Sequence, residues 1–274
     1  MRCKPLIAVL LAPVPALAGA PVDFLELPPG FRAEVVVDQV PNARAMALAD
    51  DGTLYVGTRS GGKVYAVRDA LGPAPRVQVI AEGLEMPNGV AIRDGTLYIA
   101  QARQLGRIRD VARVTSPVAP EPVGEPFPYK NVLHAWKYLA FGPDGWLYVP
   151  VGAPCNVCQE PGFGVILRMR PDGSGREVYA RGIRNSVGFD WEPRTGELWF
   201  TDNGRDMLGD DAPPDELNHA PRAGLDFGFP YCHGGTIPDP QLGSTGRCED
   251  ATPPARTLAP HAAALGLRFY TGRM

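Results

Sequence analysis

The chain has 274 residues, 45% of them hydrophobic and 21% charged, with a formal net charge of −3. That is enough apolar material for one sizeable core, while 32 glycines and 30 prolines argue against long helices. Only four histidines and no cluster of Lys and Arg leave no basic surface for nucleic acid, so small-molecule chemistry is the expectation.

At the start, Arg2 and Lys4, the apolar run Leu6–Ala12 and the small-residue pattern Ala16-Leu17-Ala18 read as a signal peptide over residues 1–20, cleaved before Gly19 or Pro21. Residues 21–274 then form the mature domain. The run is too short to cross a bilayer, and no later window approaches the ~20 apolar residues of a membrane helix. A soluble periplasmic or secreted protein with no membrane span follows. Cys3 precedes the apolar run, so four cysteines remain: Cys155, Cys158, Cys232 and Cys248. Disulfides persist after export, and the local pairing 155–158 with 232–248 is one of three possible connectivities. Zinc held by Cys155 and Cys158 competes with that reading. Covalent haem does not, because Gln159 stands where the attachment motif needs histidine.

From Ala45 a pattern repeats. Asp51-Gly52-Thr53-Leu54-Tyr55-Val56 returns as Asp94-Gly95-Thr96-Leu97-Tyr98-Ile99, as Asp144-Gly145-Trp146-Leu147-Tyr148-Val149 and, more loosely, as Thr195-Gly196-Glu197-Leu198-Trp199-Phe200. The glycines at 52, 95, 145 and 196 lie 43, 50 and 51 residues apart. Each copy follows an apolar run (Ala45–Leu48, Gly89–Ile92, Tyr138–Phe141, Val187–Asp190), which makes a hairpin with the glycine at its tip. Further strands such as Lys63–Val67 and Val165–Met169 bring the unit to about four strands. Four-stranded units repeating every ~40–50 residues are the mark of β-propeller blades, against the alternative of a β-sandwich with coincidental turns. The expected fold is therefore all-β, with about four complete blades and a partial further one from Pro260 to Met274, where Leu267–Gly272 reads as a strand entering a turn.

In a propeller, ligands bind where the loops entering the innermost strands converge. The unusual residues at such places are Asn88-Gly89, Leu133-His134-Ala135-Trp136-Lys137, Gly182-Ile183-Arg184-Asn185 and the loop Thr201–Arg205 with its acidic continuation Asp210, Asp211, Asp215, Glu216. His134 before Tyr138–Tyr148, Arg184-Asn185 before the next strand, Asp202-Asn203-Gly204, Asp215–Asn218 and Asp226–Pro230 together resemble the glucose/sorbosone dehydrogenase family, closest to its sorbosone dehydrogenase-like branch, from about Leu27 onward. The resemblance implies a six-bladed propeller that uses pyrroloquinoline quinone (PQQ) and calcium to oxidise an aldose or aldehyde-bearing sugar and passes electrons to an external acceptor. Carried over, it makes His134 the general base and Arg184 the cation opposite the developing charge on the quinone oxygen; Asn88 and Asn185 join His134 and Arg184 in holding the cofactor. Calcium falls to the backbone carbonyls at Gly204 and Arg205, with Asp215 and Glu216 binding a further calcium or bracing that loop.

Val151-Gly152-Ala153-Pro154 and the Cys155/Cys158 pair depart from the family pattern and are expected to alter the channel rim and substrate choice. A six-bladed ring also implies that residues 21–274 are a propeller incomplete at the C-terminus and that the cofactor site is only partly supplied by these residues. The 274-residue chain by itself is therefore expected to be inactive or nearly so even with PQQ and calcium in excess. Without the family, His134 reads as a hydrogen-bonded structural residue, Arg184-Asn185 as a surface turn and the acidic run as a solvated loop. His219, His233 and His261 match nothing catalytic. Two other functions stay open: a metal-dependent lactonase, which also shows the Pro87-Asn88-Gly89 pattern, and a non-catalytic propeller binding saccharide or protein.

Overall fold

The computed structural model describes residue 22, residues 25–246 and residues 248–272; the expected signal peptide lies outside the described residues. Sheets follow one another along the chain. β1 (Ala43–Leu48), β2 (Leu54–Thr58), β3 (Val64–Arg68) and β4 (Arg76–Ala81) form the first, each pairing antiparallel with the next. The second holds β5 (Gly89–Arg93), β6 (Thr96–Ala100), β7 (Leu105–Ile108) and β8 (Glu121–Val123). β9 (Ala140–Phe141), β10 (Leu147–Val151), β11 (Val165–Met169) and β12 (Glu177–Arg181) make the third. The fourth starts with β13 (Phe189–Trp191), β14 (Leu198–Asp202) and β15 (Pro214–Ala220). The chain then adds β16 (Leu225–Asp226) parallel to the edge of β12, makes a short hairpin of β17 (Cys232–His233) and β18 (Ile237–Pro238), and returns with β19 (Arg256–Pro260) beside β15. These are four blades of a β-propeller.

The repeat glycines sit where the pattern places them. Gly52, Gly95, Gly145 and Gly196 have φ of 79°, 70°, 79° and 71°, in the left-handed region that a side chain disfavours, and each turns the innermost strand of its blade into the second.

Apolar layers lie in the seams between blades. Tyr55, Val64 and Ile80 of the first blade pack on Val90, Leu97 and Ile99 of the second. Tyr98, Ala100 and Leu105 of the second meet Leu147, Val149 and Leu167 of the third. Tyr148, Ile166 and Tyr179 of the third meet Phe189, Leu198 and Phe200 of the fourth. Both faces of each inner blade are covered, so strands such as β10 are buried along their whole length and read as continuous apolar runs rather than as alternation.

The last expected unit differs. Pro260 ends β19 and so belongs to the fourth blade, and residues 261–272 form no strand. Their polar contacts go to the fourth blade: Thr201 Oγ1 donates to the Leu265 carbonyl, Asn203 Nδ2 to that of Ala264, and the Phe269 amide to Asp190 Oδ2. The segment thus packs on the fourth blade beside β13 and β14. Both local disulfides are present, with Cα separations of 6.1 Å for Cys155–Cys158 and 5.2 Å for Cys232–Cys248.

Candidate active site

Antiparallel order within each blade brings the entries to β5, β9 and β13, the β10–β11 loop and the β14–β15 loop to one end of the propeller. A cavity of about 270 Å³ beside the starts of the innermost strands is lined by Arg44 of β1, Asn88, Tyr138, Val187 and Leu265; His134, Arg184 and Asn185 are not in its lining.

His134 is buried and has φ 53°, a left-handed conformation in the segment leading to β9. Its Nδ1 lies 2.8 Å from the Ala153 carbonyl oxygen. A carbonyl only accepts, so Nδ1 carries the proton and Nε2 keeps its lone pair. Burial, and then the charge of Arg184, hold the imidazole down at a pKa of about 4, so it is neutral at physiological pH. Gly152 permits this approach: a Cβ there would stand 2.7 Å from His134 Cβ and 3.1 Å from Asn185 Oδ1.

Arg184 is buried, with every guanidinium N–H engaged. Nε donates to the Asn156 carbonyl (2.9 Å), Nη1 to the carbonyls of Asn203 (3.3 Å) and Gly204 (2.8 Å), and Nη2 to Asn156 Oδ1 (3.0 Å) and Asp206 Oδ2 (2.9 Å). It is thus a fixed charge that ties three loops together rather than a free fork of donors. Its backbone amide and that of Asn185 both donate to Asp202, and Asn185 Nδ2 reaches Asn203 Oδ1 at 3.2 Å. Asn88 donates Nδ2 to the Lys137 carbonyl and receives Arg44 Nε, which commits its amide to the junction of the first three blades.

The acidic run divides. Asp210 and Asp211 are exposed, as a solvated loop should be, whereas Asp215 and Glu216 are buried in β15. Asp215 Oδ1 accepts the Gly204 amide at 2.7 Å, so it braces the loop. Neighbouring strand residues project to opposite faces, so Asp215 and Glu216 do not converge on one point. Glu216 instead faces Asp202, its cross-strand partner on β14. Burial first and the Glu216 charge second raise the Asp202 carboxyl to about 8, and burial likewise raises Glu216. Among the described residues, no three His, Cys, Asp or Glu side chains gather as a metal site.

Several members of this site carry no sequence pattern. Asp239, fully buried, accepts Arg205 Nη1 at 2.5 Å, His233 Nε2 at 3.0 Å and the amides of Gln241 and Leu242, and so fixes the loop bearing Arg205. His233 is thus held by Asp239, while His219 is stacked on Trp199 and bonded to Glu197, and His261 is bonded to the Gly209 carbonyl. Arg59 lies over the Trp136 ring at 3.9 Å. Burial and then the charge of Arg59 lower the pKa of Arg44, which marks two cations side by side at the channel mouth. Lys137 is buried, with Nζ on the Ala135 carbonyl, and burial brings it down to about 8. Trp136 Nε1, Ser186 Oγ, Asp215 Oδ2 and Asn218 Oδ1 are buried without a partner.

The family model described as Glucose / Sorbosone dehydrogenase matches residues 125–274, more than half of the chain. The chain belongs to the glucose/sorbosone dehydrogenase family. Among solved structures it resembles a putative oxidoreductase (glucose dehydrogenase) from Thermus thermophilus, with 26% identity and a TM-score of 0.70 over 89% of this chain and 78% of that one. The PQQ-bound aldose sugar dehydrogenase of Streptomyces coelicolor shares the fold at 22% identity and TM-score 0.64, covering 85% and 73% of the two chains. An uncharacterized protein of Borreliella burgdorferi is 28% identical over 96% of this chain and 72% of its own length. The four blades are thus those of a member of this family.

Proposed function

We propose that the chain is an exported quinoprotein sugar dehydrogenase that oxidises an aldose or aldehyde-bearing sugar of the sorbosone or glucose type, with His134 as the general base. The observation that carries this reading is the state of His134: Nδ1 is pinned to the Ala153 carbonyl, and the neutral ring keeps an acceptor at Nε2. That is the form a base needs to take a hydroxyl proton as hydride leaves the adjacent carbon.

The residues present fit part of a site for PQQ, an o-quinone bearing three carboxylates. Arg44 and Arg59 are turned to Asn88 and to the Trp136 ring rather than to carboxylates, so their charge is available to an anionic ligand. Trp136 Nε1 and Ser186 Oγ are unspent polar atoms in the His134 and Asn185 segments. In this reading His134, Arg184, Asn185 and Asn88 surround the cofactor, which when bound supplies the hydride acceptor. Arg184 contributes a buried positive charge held in place by its five hydrogen bonds, which favours negative charge developing nearby. Calcium would use the hard carbonyl oxygens of Arg205 and Gly204, the latter shared with Arg184 Nη1, while Asp215 holds that loop and keeps one buried oxygen without a partner. The disulfides and the expected signal peptide favour a periplasmic or secreted site of action, and the reoxidant is an external electron acceptor. The lactonase reading loses support because the Asn88 amide it relies on is already committed to Lys137 and Arg44.

The test is titration of a protein carrying the complete six-bladed ring with PQQ and calcium, followed by absorbance, with aldose oxidation measured through an artificial acceptor. There, calcium-dependent, PQQ-dependent turnover is expected, and His134→Ala should cost roughly 10²–10⁴ in rate while the cofactor still binds. Lactone hydrolysis without quinone, or unchanged turnover in the variant, would overturn the reading.

A further inference from the structure

The tetrapeptide Cys155-Asn156-Val157-Cys158 is closed on itself by a disulfide, and its one polar side chain is spent entirely on the active-site loops. Asn156 gives Arg184 two acceptors, its carbonyl oxygen to Nε at 2.9 Å and its Oδ1 to Nη2 at 3.0 Å. The same Oδ1 accepts the Asp206 amide at 2.8 Å, and Nδ2 donates to the Asp206 carbonyl at 3.0 Å. Asp206 in turn completes the shell by accepting Arg184 Nη2. The ring of contacts therefore closes: the bridge shapes the turn, the turn presents Asn156, and Asn156 joins the Arg184 guanidinium to the loop that carries Gly204.

We propose that Asn156, held by the Cys155–Cys158 bridge, is the positioning residue for Arg184. The bridge acts on the site rather than only on global stability. An arginine side chain has four rotatable bonds and loses most of their freedom when fixed, so each acceptor that survives without rearrangement matters. A loop crosslinked across three residues keeps the Asn156 carbonyl and side chain aimed at one place, whereas an open loop would have to be ordered by those hydrogen bonds themselves. Asn131 Nδ2, donating to the Pro154 carbonyl at 2.9 Å, anchors the same loop from the His134 side. The catalytic significance rests on the proposed sugar dehydrogenase activity, but the positioning itself does not.

The test uses the full chain without cofactor and phenylglyoxal, which modifies guanidinium groups, with the labelled arginines located by peptide mass mapping. Exposed Arg194 serves as the reference, and Arg205, equally buried but fixed by Asp239, reports on general unfolding. Asn156→Ala and the double variant Cys155→Ser/Cys158→Ser should raise Arg184 labelling at least roughly tenfold relative to Arg194 with Arg205 unchanged, since one hydrogen bond to a charged group is worth about that factor. Asn156→Asp keeps an acceptor for both Arg184 and the Asp206 amide and should restore most of the protection. Unchanged Arg184 labelling in either variant overturns the proposal, and so does a parallel rise at Arg205, which would make the bridge a general staple. A PQQ titration on the same samples is read separately: failure of the wild-type chain to bind PQQ would count against the dehydrogenase reading and leave the labelling result standing.

Discussion

Keeping His134 neutral makes the fold sensitive to acid, and the size of the effect can be worked out. The imidazole has a pKa of about 4 in the folded chain, lowered mainly by burial and then by Arg184, against 6.5 ordinarily. Below pH 6.5 the unfolded chain takes up a proton that the native site refuses. This contribution to stability is therefore complete above pH 6.5, falls as the pH drops from 6.5 to about 4, and is flat below. At a pH of about 4.5 the loss is roughly 2.5 kcal/mol, from ~1.4 kcal/mol per pH unit over nearly two units. The assay is urea denaturation of the wild type and His134→Gln at about pH 7 and at about pH 4.5. Glutamine does not titrate, so the variant should lose about 2.5 kcal/mol less than the wild type between the two conditions. His233, also lowered by burial, contributes to both proteins and cancels. Equal losses would show that His134 is not buried as a neutral base. The same state predicts a turnover profile with no inflection near pH 6.5 and a fall only as the pH approaches 4.

Three further outcomes follow from the packing. Phe200→Ala, in the seam between the third and fourth blades, removes a fully buried ring and should cost about 3–5 kcal/mol in denaturant midpoint experiments. Asp239→Ala strands the buried Arg205 guanidinium and the His233 ring, and should destabilise by roughly 3–5 kcal/mol, measured by urea unfolding; Asp239→Asn, which keeps an acceptor, should cost less. Gly152→Ala drives a methyl group against His134 and Asn185, so kcat should fall more than PQQ affinity, read by turnover beside cofactor titration.

The blade repeat was legible along the chain because its signals are local. An Asp-Gly turn demands a left-handed backbone, and the apolar runs on either side demand burial, so four glycines at a regular spacing announce four hairpins whatever surrounds them. The short disulfides were legible for the same reason. The fourth blade's outer strand was not. β19 pairs with β15 only after the intervening β16–β18 excursion, a long-range choice that no local pattern encodes, and this drew Pro260 into the fourth blade instead of a fifth.

The roles within the site were likewise decided in three dimensions. Sequence placed Asp215 and Glu216 together as adjacent acids, but β15 sends them to opposite faces, one to brace Gly204 and the other to meet Asp202. Arg184 was visible as a cation, whereas its saturation by Asn156, Asn203, Gly204 and Asp206 depends on loops brought together only when the blades pack. Asp239, Arg44 and Arg59 bear no motif at all. Hydrophobic period and turn chemistry act between near neighbours and so are written in order along the chain, whereas hydrogen bonding and charge act through space, and which groups they join is settled by the seams and loops of the assembled propeller.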